Sequence, residues 1–394
     1  MELRQITEYS TDIVDLFMQK YDNTIFLSSW DKDDGILNFN EETVKEATSN
    51  TRHKNNYIMS KGMHILKKSL CEYINQDSRI ISLENITVAT TGSAACFLSF
   101  LQIIRKKLKN MLFIGPIYFT YYQMTKIFDF HVYNVPIDPF MQSDFSVDEL
   151  VHTIKNMNIG GILITNPLFS YGHAITYSQI LKLQDYCAEH DILFIIDNVY
   201  GNMEWDNPIR LFNNDLIELA AKNNNVIVFD SLSKRIFLNG IKSAFLYGNA
   251  EIIRQIDIDT EICIGGLSYV QESLLETIFL RRQTDIVIQH IKETISYAQN
   301  CYNQVKTAIL GSDFIISDVT CGYFAVLGIP KKHFVSSGDM DKAREILDKT
   351  HIITIPLSRY NYSNPNYYCF RLNLIIRKTD LMHGIRRLLD ICSY

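Results

Sequence analysis

The run Asp230-Ser-Leu-Ser-Lys-Arg-Ile-Phe-Leu-Asn-Gly-Ile-Lys242 directly follows the apolar stretch Val226–Phe229. A lysine at the end of a buried strand can act as an amine nucleophile that forms a Schiff base with an aldehyde. Ser231 and Ser233 precede Lys234, and Lys242 follows it in the same run, a set of hydroxyls and a cation suited to holding a phosphate. Ser-x-Ser-Lys also arises by chance at strand ends, so the motif needs support from the rest of the chain.

That support is ordered along the sequence. In Thr90-Thr-Gly-Ser-Ala-Ala95, a small turn links the strand-like Ile86–Ala89 to a helical pattern, and Gly92, Ser93 and Ala94 open that helix. Free amides and the positive dipole end at such a point receive anions, although an ordinary strand–helix connection has the same composition. Tyr118 ends Gly115-Pro-Ile-Tyr118 within an aromatic cluster, where it serves either as a stacking ring or as core. Asn166 begins an Asn-Pro pair after Gly161–Ile164, and Asn before Pro is also a common turn starter. Asp197 closes the apolar run from Ile192, with Tyr200 shortly after it. A carboxylate at the end of a strand in an open α/β sheet stands where such sheets bind ligands, or it caps the next turn. Arg371 lies in the strand-like Phe370–Leu374, where its fork suits a carboxylate unless the strand is an exposed edge.

In this order the features resemble the fold-type I pyridoxal-phosphate enzymes, specifically the class I/II aminotransferases, from about Tyr57 to Ile391. The resemblance implies pyridoxal 5'-phosphate as cofactor, with Lys234 as its Schiff-base lysine and as the base that takes the substrate's Cα proton. It also implies Asp197 at the pyridine nitrogen, where a carboxylate favours the protonated ring. Asn166 and Tyr200 match the donors to the ring's phenolic oxygen, and Tyr118 matches the ring stacked on the pyridine face. Gly92, Ser93, Ala94, Ser231, Ser233 and Lys242 match the phosphate cradle. Tyr57, in Tyr-Ile-Met-Ser-Lys-Gly62, resembles the tyrosine that reaches the phosphate of a neighbouring subunit, which implies a homodimer with shared active sites. Arg371, with Asn166, corresponds to the substrate's carboxylate clamp. The implied reaction moves an α-amino group from an amino acid to a keto acid.

Four departures keep elimination, cyclisation, decarboxylation and oxidation open as alternatives. Lys242 stands where the family usually has arginine, and Ala244 where it has glycine. Asn198 stands where an acid is common, and Ile355-Pro-Leu-Ser where Pro-Gly is common. Lysine offers a point charge rather than a planar fork. A non-catalytic sensor is the other alternative, but no helix-turn-helix pattern precedes the matching region. The alternating elements also suit a dinucleotide-binding dehydrogenase, yet no Gly-x-Gly-x-x-Gly follows a strand. The loops expected to line the substrate side and decide specificity, roughly Leu27–Asp34 and Ser358–Asn366, match nothing readable.

These residues need a scaffold. Between 60 and 250, strand-like runs alternate with helical patterns at Lys61–Asn75, Ala94–Lys107, Tyr118–Ile127 and Tyr177–Glu189. The expected fold is α/β: a mostly parallel, mixed seven-stranded sheet flanked by helices, with Ser243–Tyr247 as the antiparallel strand that the resemblance implies. A long, weakly interrupted helical stretch over about Ser268–Lys306 is expected to lead into a smaller α+β domain. Its expected strands lie near Phe314–Ser317, Tyr323–Leu327 and Cys369–Leu374, and its helices near Asp339–Lys349 and Asp380–Leu389. The expected domains are residues 1–50 (a helix at Thr11–Lys20 and a polar arm), 51–290 and 291–394.

Composition sets the outer bounds. The chain has 394 residues, 47% of them hydrophobic, enough for one large and one smaller unit. A net charge of -6 disfavours nucleic-acid binding. No apolar run reaches the roughly 18 residues of a membrane span. The start, Met1 to Glu8, lacks a basic region and an apolar core, so the expected location is cytoplasmic. Eight cysteines, at positions 71, 96, 187, 263, 301, 321, 369 and 392, show no zinc-ligand spacing and are expected to be reduced thiols. The ten histidines include no His-Glu-x-x-His, so no metal is expected.

Overall fold

The computed structural model describes residues 4–6, 23–49, 58, 64–76, 79–89, 92–140, 145–206, 210–264 and 268–391. In chain order the strands are β1 (Arg4–Ile6), β2 (Ile25–Phe26), β3 (Ile86–Ala89), β4 (Asn110–Ile114), β5 (His131–Val135), β6 (Gly161–Thr165) and β7 (Leu193–Asp197). They continue with β8 (Val226–Asp230), β9 (Ala244–Gly248), β10 (Ile315–Ile316), β11 (Phe324–Pro330), β12 (Ile352–Ile353) and β13 (Tyr367–Asn373).

The main sheet runs β1-β5-β4-β6-β7-β8-β9-β3. Strands β5, β4, β6, β7 and β8 are mutually parallel. Strand β9 is antiparallel to both its neighbours, β8 and β3. This is the expected seven-stranded mixed sheet, extended at one edge by β1, which pairs antiparallel with β5 and had no readable signal in sequence. The central strands are buried on both faces, so they read as unbroken apolar runs rather than as alternation. Their period of two still shows in what they pack against. Leu163, Ile195 and Ile227 join one hydrophobic cluster with Phe97 and Phe100, while Ile164, Ile196 and Val228 join the larger cluster on the opposite face.

Helices Ser93–Ile104, Phe119–Ile127 and Tyr177–Glu189 fall where the periodicity predicts them, and His64–Ile74 lies within its expected stretch. Helices Val147–Ile154, Asn214–Lys222 and Ala250–Ile264 complete the alternation. The weakly interrupted helical stretch expected over Ser268–Lys306 is two helices, Tyr269–Phe279 and Thr284–Ala308. Arg282, at φ 56°, turns the chain between them. The expected boundary at 290 lies inside the second helix.

Beyond it, β11 pairs antiparallel with β10 and β13, and helices Asp339–Thr350 and Lys378–Ile391 complete an α+β unit. The stretch expected as a polar arm takes part in this unit, since β2 pairs with β12 and the Asn373 amide donates to the Leu27 carbonyl at 2.8 Å. The helix expected over Thr11–Lys20 lies outside the described residues. Among the described residues no helix is long and apolar enough to cross a membrane.

Candidate active site

The carboxyl ends of the parallel strands converge on one cavity of about 360 Å³. Its walls carry Gly92, Ser93 and Ala94 from the β3 connection, Tyr118 from the β4 connection, Asp197 and Tyr200 from β7, and Ser231, Ser233, Lys234 and Lys242 from the β8–β9 loop. This edge of an open α/β sheet is where ligands bind. A larger cleft of about 600 Å³ lies at the opposite strand ends, around Lys107, Asn158 and His190, and holds none of these residues.

Lys234 is held by its own loop. The Ser231 hydroxyl donates to the Ser243 carbonyl, and the Ser233 hydroxyl donates to the Ile241 carbonyl at 3.1 Å while accepting from the Ser243 amide at 2.9 Å. Both serines therefore lace the loop together and spend their protons on backbone. The adjacent Arg235 is fully buried, paired with Asp230, and donates to the Leu211 carbonyl. Removing one member of such a buried pair costs about 3–5 kcal/mol, so the pair fixes the loop's base. The Lys234 amine donates to Oδ1 of Asn239 at 2.9 Å. Burial, then the charges of Lys242 and Arg371, push that amine down to about 8.

Asp197 is buried in the wall of the same cavity. Its Oδ1 accepts from the Val199 amide at 3.0 Å, and the Tyr121 hydroxyl donates to the same carboxylate. Burial outweighs both bonds and pushes the carboxyl up to about 6. A cationic group placed against it would reverse that shift. Tyr200 packs edge-on against Phe169, Tyr323 and Phe324 at 5.8–6.1 Å, and burial raises its hydroxyl above the usual tyrosine range. Tyr118 caps helix Phe119–Ile127, with its ring 5.7 Å from Phe169 and 5.9 Å from Tyr121.

Gly92 opens helix Ser93–Ile104 at φ 85° and ψ 170°, a conformation open to glycine and very few other residues. The first amides of that helix have no intrahelical acceptor. The aliphatic chain of Lys242 lies over the turn, 3.5 Å from where a Gly92 Cβ would stand. Backbone amides and an ammonium group thus face one end of the cavity.

Two expected residues stand apart from the walls. Asn166 is buried beside Asp197, but its side chain is tied to Ile175, accepting from that amide at 2.8 Å and donating to its carbonyl at 3.3 Å. Arg371, on β13, lies behind Trp30 with no exposed surface. Its guanidinium is sandwiched between Trp30 at 4.1 Å and Phe324 at 4.7 Å, and one arm donates to the Ser28 carbonyl. Nε and Nη1 of this buried cation have no partner. Tyr57 lies outside the described residues. Among the described residues no group of three or more His, Cys, Asp or Glu gathers as a metal site.

Trp30, Tyr121, Phe169 and Asn239 also line the cavity and were missed in sequence. Tyr121 had a signal, since it lies one helical turn beyond Tyr118 and shares its face. The others sit in irregular loops with no periodicity to read.

Residues 31–388 match the family model for aminotransferase class I and II. A probable aspartate/prephenate aminotransferase of Aquifex aeolicus is 19% identical over 342 residues, 85% of this chain and 83% of that protein. A histidinol-phosphate aminotransferase of Chlorobium phaeovibrioides is 19% identical over 222 residues, and the match spans 56% of each chain, little more than half the length of that relative. An archaeal alanine:glyoxylate aminotransferase superposes with a TM-score of 0.81 at 16% identity, covering 98% of this chain and 96% of the other.

Proposed function

Because this chain belongs to the aminotransferase class I and II family, a family of transferases, we propose that it moves the α-amino group of an amino acid to a keto acid using pyridoxal 5'-phosphate. The observation that carries this reading is that one cavity is lined by Lys234, by the buried carboxyl of Asp197 and by the helix start at Gly92 and Ser93. The residues suit the cofactor. A buried carboxylate without a cation fits a pyridinium nitrogen, and an anion-ready helix start beside Lys242 fits a phosphate. When bound, pyridoxal phosphate supplies an electron-withdrawing ring that takes up the negative charge left at a substrate's Cα.

The chain's own residues do the rest. Lys234 anchors the cofactor aldehyde and, once free, its neutral amine takes the Cα proton. Asp197 keeps a proton on the ring nitrogen, with Tyr121 fixing the carboxylate. Gly92, Ser93 and Ala94 offer amides to the phosphate and Lys242 offers charge, while Ser231 and Ser233 hold the loop that carries Lys234. Tyr118 covers the ring face, and Tyr200 donates to its phenolic oxygen. Arg371, which lies behind Trp30, takes the substrate's α-carboxylate on its unpartnered Nε or Nη1 once Trp30 yields, which sets the Cα–H bond in the reactive plane. Asn166 supports Asp197 from the neighbouring strand.

We further assign a cytoplasmic homodimer, with Tyr57 of each subunit serving the partner's phosphate. We also assign a large unit over about 51–290, which β1 extends, and a small unit over about 291–394, which β2 joins. The resemblance supports these assignments, and sedimentation tests the dimer.

The deciding experiment is an absorbance spectrum of the purified protein with added pyridoxal phosphate, then an amino acid, then a keto acid. The expected result is a cofactor band that depends on Lys234, is lost with the amino acid and returns with the keto acid. Release of ammonia or peroxide without an acceptor would replace transamination with elimination or oxidation.

A further inference from the structure

Resting on that reading, we propose that the substrate is an α-amino acid with one carboxylate and a flat apolar or aromatic side chain, and that Trp30 selects it. Both faces of the Arg371 guanidinium are covered, by Trp30 and by Phe324, and one arm is held by Ser28. Nε and Nη1, which flank Cδ and do not form one fork, are left without a partner. Their N–H groups are the donors left for a single carboxylate.

The surface beside it is aromatic. Trp30, Phe119 and Phe169 all line the cavity. Phe169 is backed edge-on by Tyr360 at 5.1 Å, so this wall is packed as well as apolar. Among the described residues the lysines on the walls are Lys234 and Lys242, both already assigned to the cofactor; no arginine lines them, and Arg371 lies behind Trp30. A second carboxylate on the substrate would therefore lose its water against aromatic rings without gaining a counter-charge. A flat ring in the same place gains an offset or edge-to-face contact with the indole. Trp30 thus does two jobs: it fixes the plane of the guanidinium and it supplies the surface that reads the side chain.

The test uses unreactive carboxylates and calorimetry on the full-length protein loaded with pyridoxal phosphate. The probes are 3-phenylpropanoate and succinate. We expect 3-phenylpropanoate to bind at least about tenfold more tightly than succinate, a discrimination within reach of one shaped apolar contact. Trp30→Ala should bring the ratio close to one, while Trp30→Phe should keep most of it. Succinate binding as tightly as 3-phenylpropanoate to the unaltered protein overturns the proposal. Binding of neither probe, with the Lys234 cofactor band present, overturns it and leaves the cofactor reading standing. Failure to acquire that band sinks both.

Discussion

The Lys234 amine donates a 2.9 Å hydrogen bond to Oδ1 of Asn239, an acceptor further along its own loop. A neutral acceptor favours the protonated amine, whereas burial and the charges of Lys242 and Arg371 favour the neutral one and bring it down to about 8. Asn239 therefore limits a fall that the rest of the site drives.

In Asn239→Ala, Lys234 should titrate at lower pH than in the unaltered protein. Cofactor-free protein can be treated with an amine-selective reagent across pH and the Lys234 peptide followed by mass spectrometry. The modification midpoint is expected to drop by about half a unit to one unit, the scale of a lost hydrogen bond to a charged group. An unmoved midpoint would mean that Asn239 does not hold the amine in solution.

Asp197 carries the reverse linkage. Its carboxyl rises from 3.8 to about 6 on folding, so between those values the folded chain binds more protons than the unfolded one. Stability contributed by the neutral acid is present below 3.8 and is lost as pH rises through about 6. The interval corresponds to about 3 kcal/mol at most. Asp197→Asn should thus raise the melting temperature of the cofactor-free protein at pH 7 and leave it unchanged near pH 3.5. The same substitution should remove most turnover. Equal stability of the two proteins at pH 7 would show that Asp197 is not held against its charge.

The sequence was legible where the chemistry sits on regular elements. Asp197, Ser231 and Gly92 lie at the ends of strands or the start of a helix, positions marked by apolar runs and their interruption. Lys234 follows β8 closely enough to be placed the same way. Trp30 and Asn239 lie in irregular loops, and their roles come from partners far along the chain or from a local fold that no periodicity encodes. Ser231 and Ser233 show the other limit: residue type announced free hydroxyls, but the loop's own carbonyls claim them. Strand β1 was unreadable because three residues at a sheet edge carry no alternation long enough to detect.

His290 sits on helix Thr284–Ala308 with its ring between Phe39 at 5.5 Å and Phe237 at 5.8 Å, and its Nε2 has no partner. Burial lowers it from 6.5 to about 4; Glu293 raises it and Lys32 lowers it further. Between those values the unfolded chain binds more protons, so stability is lost as pH falls from 6.5 towards 4. Phe237, which packs against His290, belongs to the Lys234 loop and holds φ 53°. His290→Leu should unfold at a denaturant concentration less sensitive to pH over this interval than the unaltered protein does. Because Asp197 acts in the opposite sense there, the reading is the difference between the two proteins, and parallel pH curves would refute the assignment.

Gly92 separates backbone strain from steric contact. Its φ of 85° with ψ of 170° costs a non-glycine residue about 1–3 kcal/mol. A Cβ there would meet the Lys242 side chain at 3.5 Å, ordinary van der Waals contact, so the cost comes from conformation alone. Gly92→Ala should therefore destabilise the protein by about 1–3 kcal/mol in urea unfolding, and by the same amount in a Lys242→Ala background to within about 0.5 kcal/mol. It should also weaken cofactor binding, because relaxing the turn swings the first helical amides away from the cavity. Lys242→Ala alone should weaken cofactor binding with little loss of stability. A Gly92→Ala penalty that disappears once Lys242 is shortened would locate the cost in the side-chain contact and remove the argument for a glycine-specific turn.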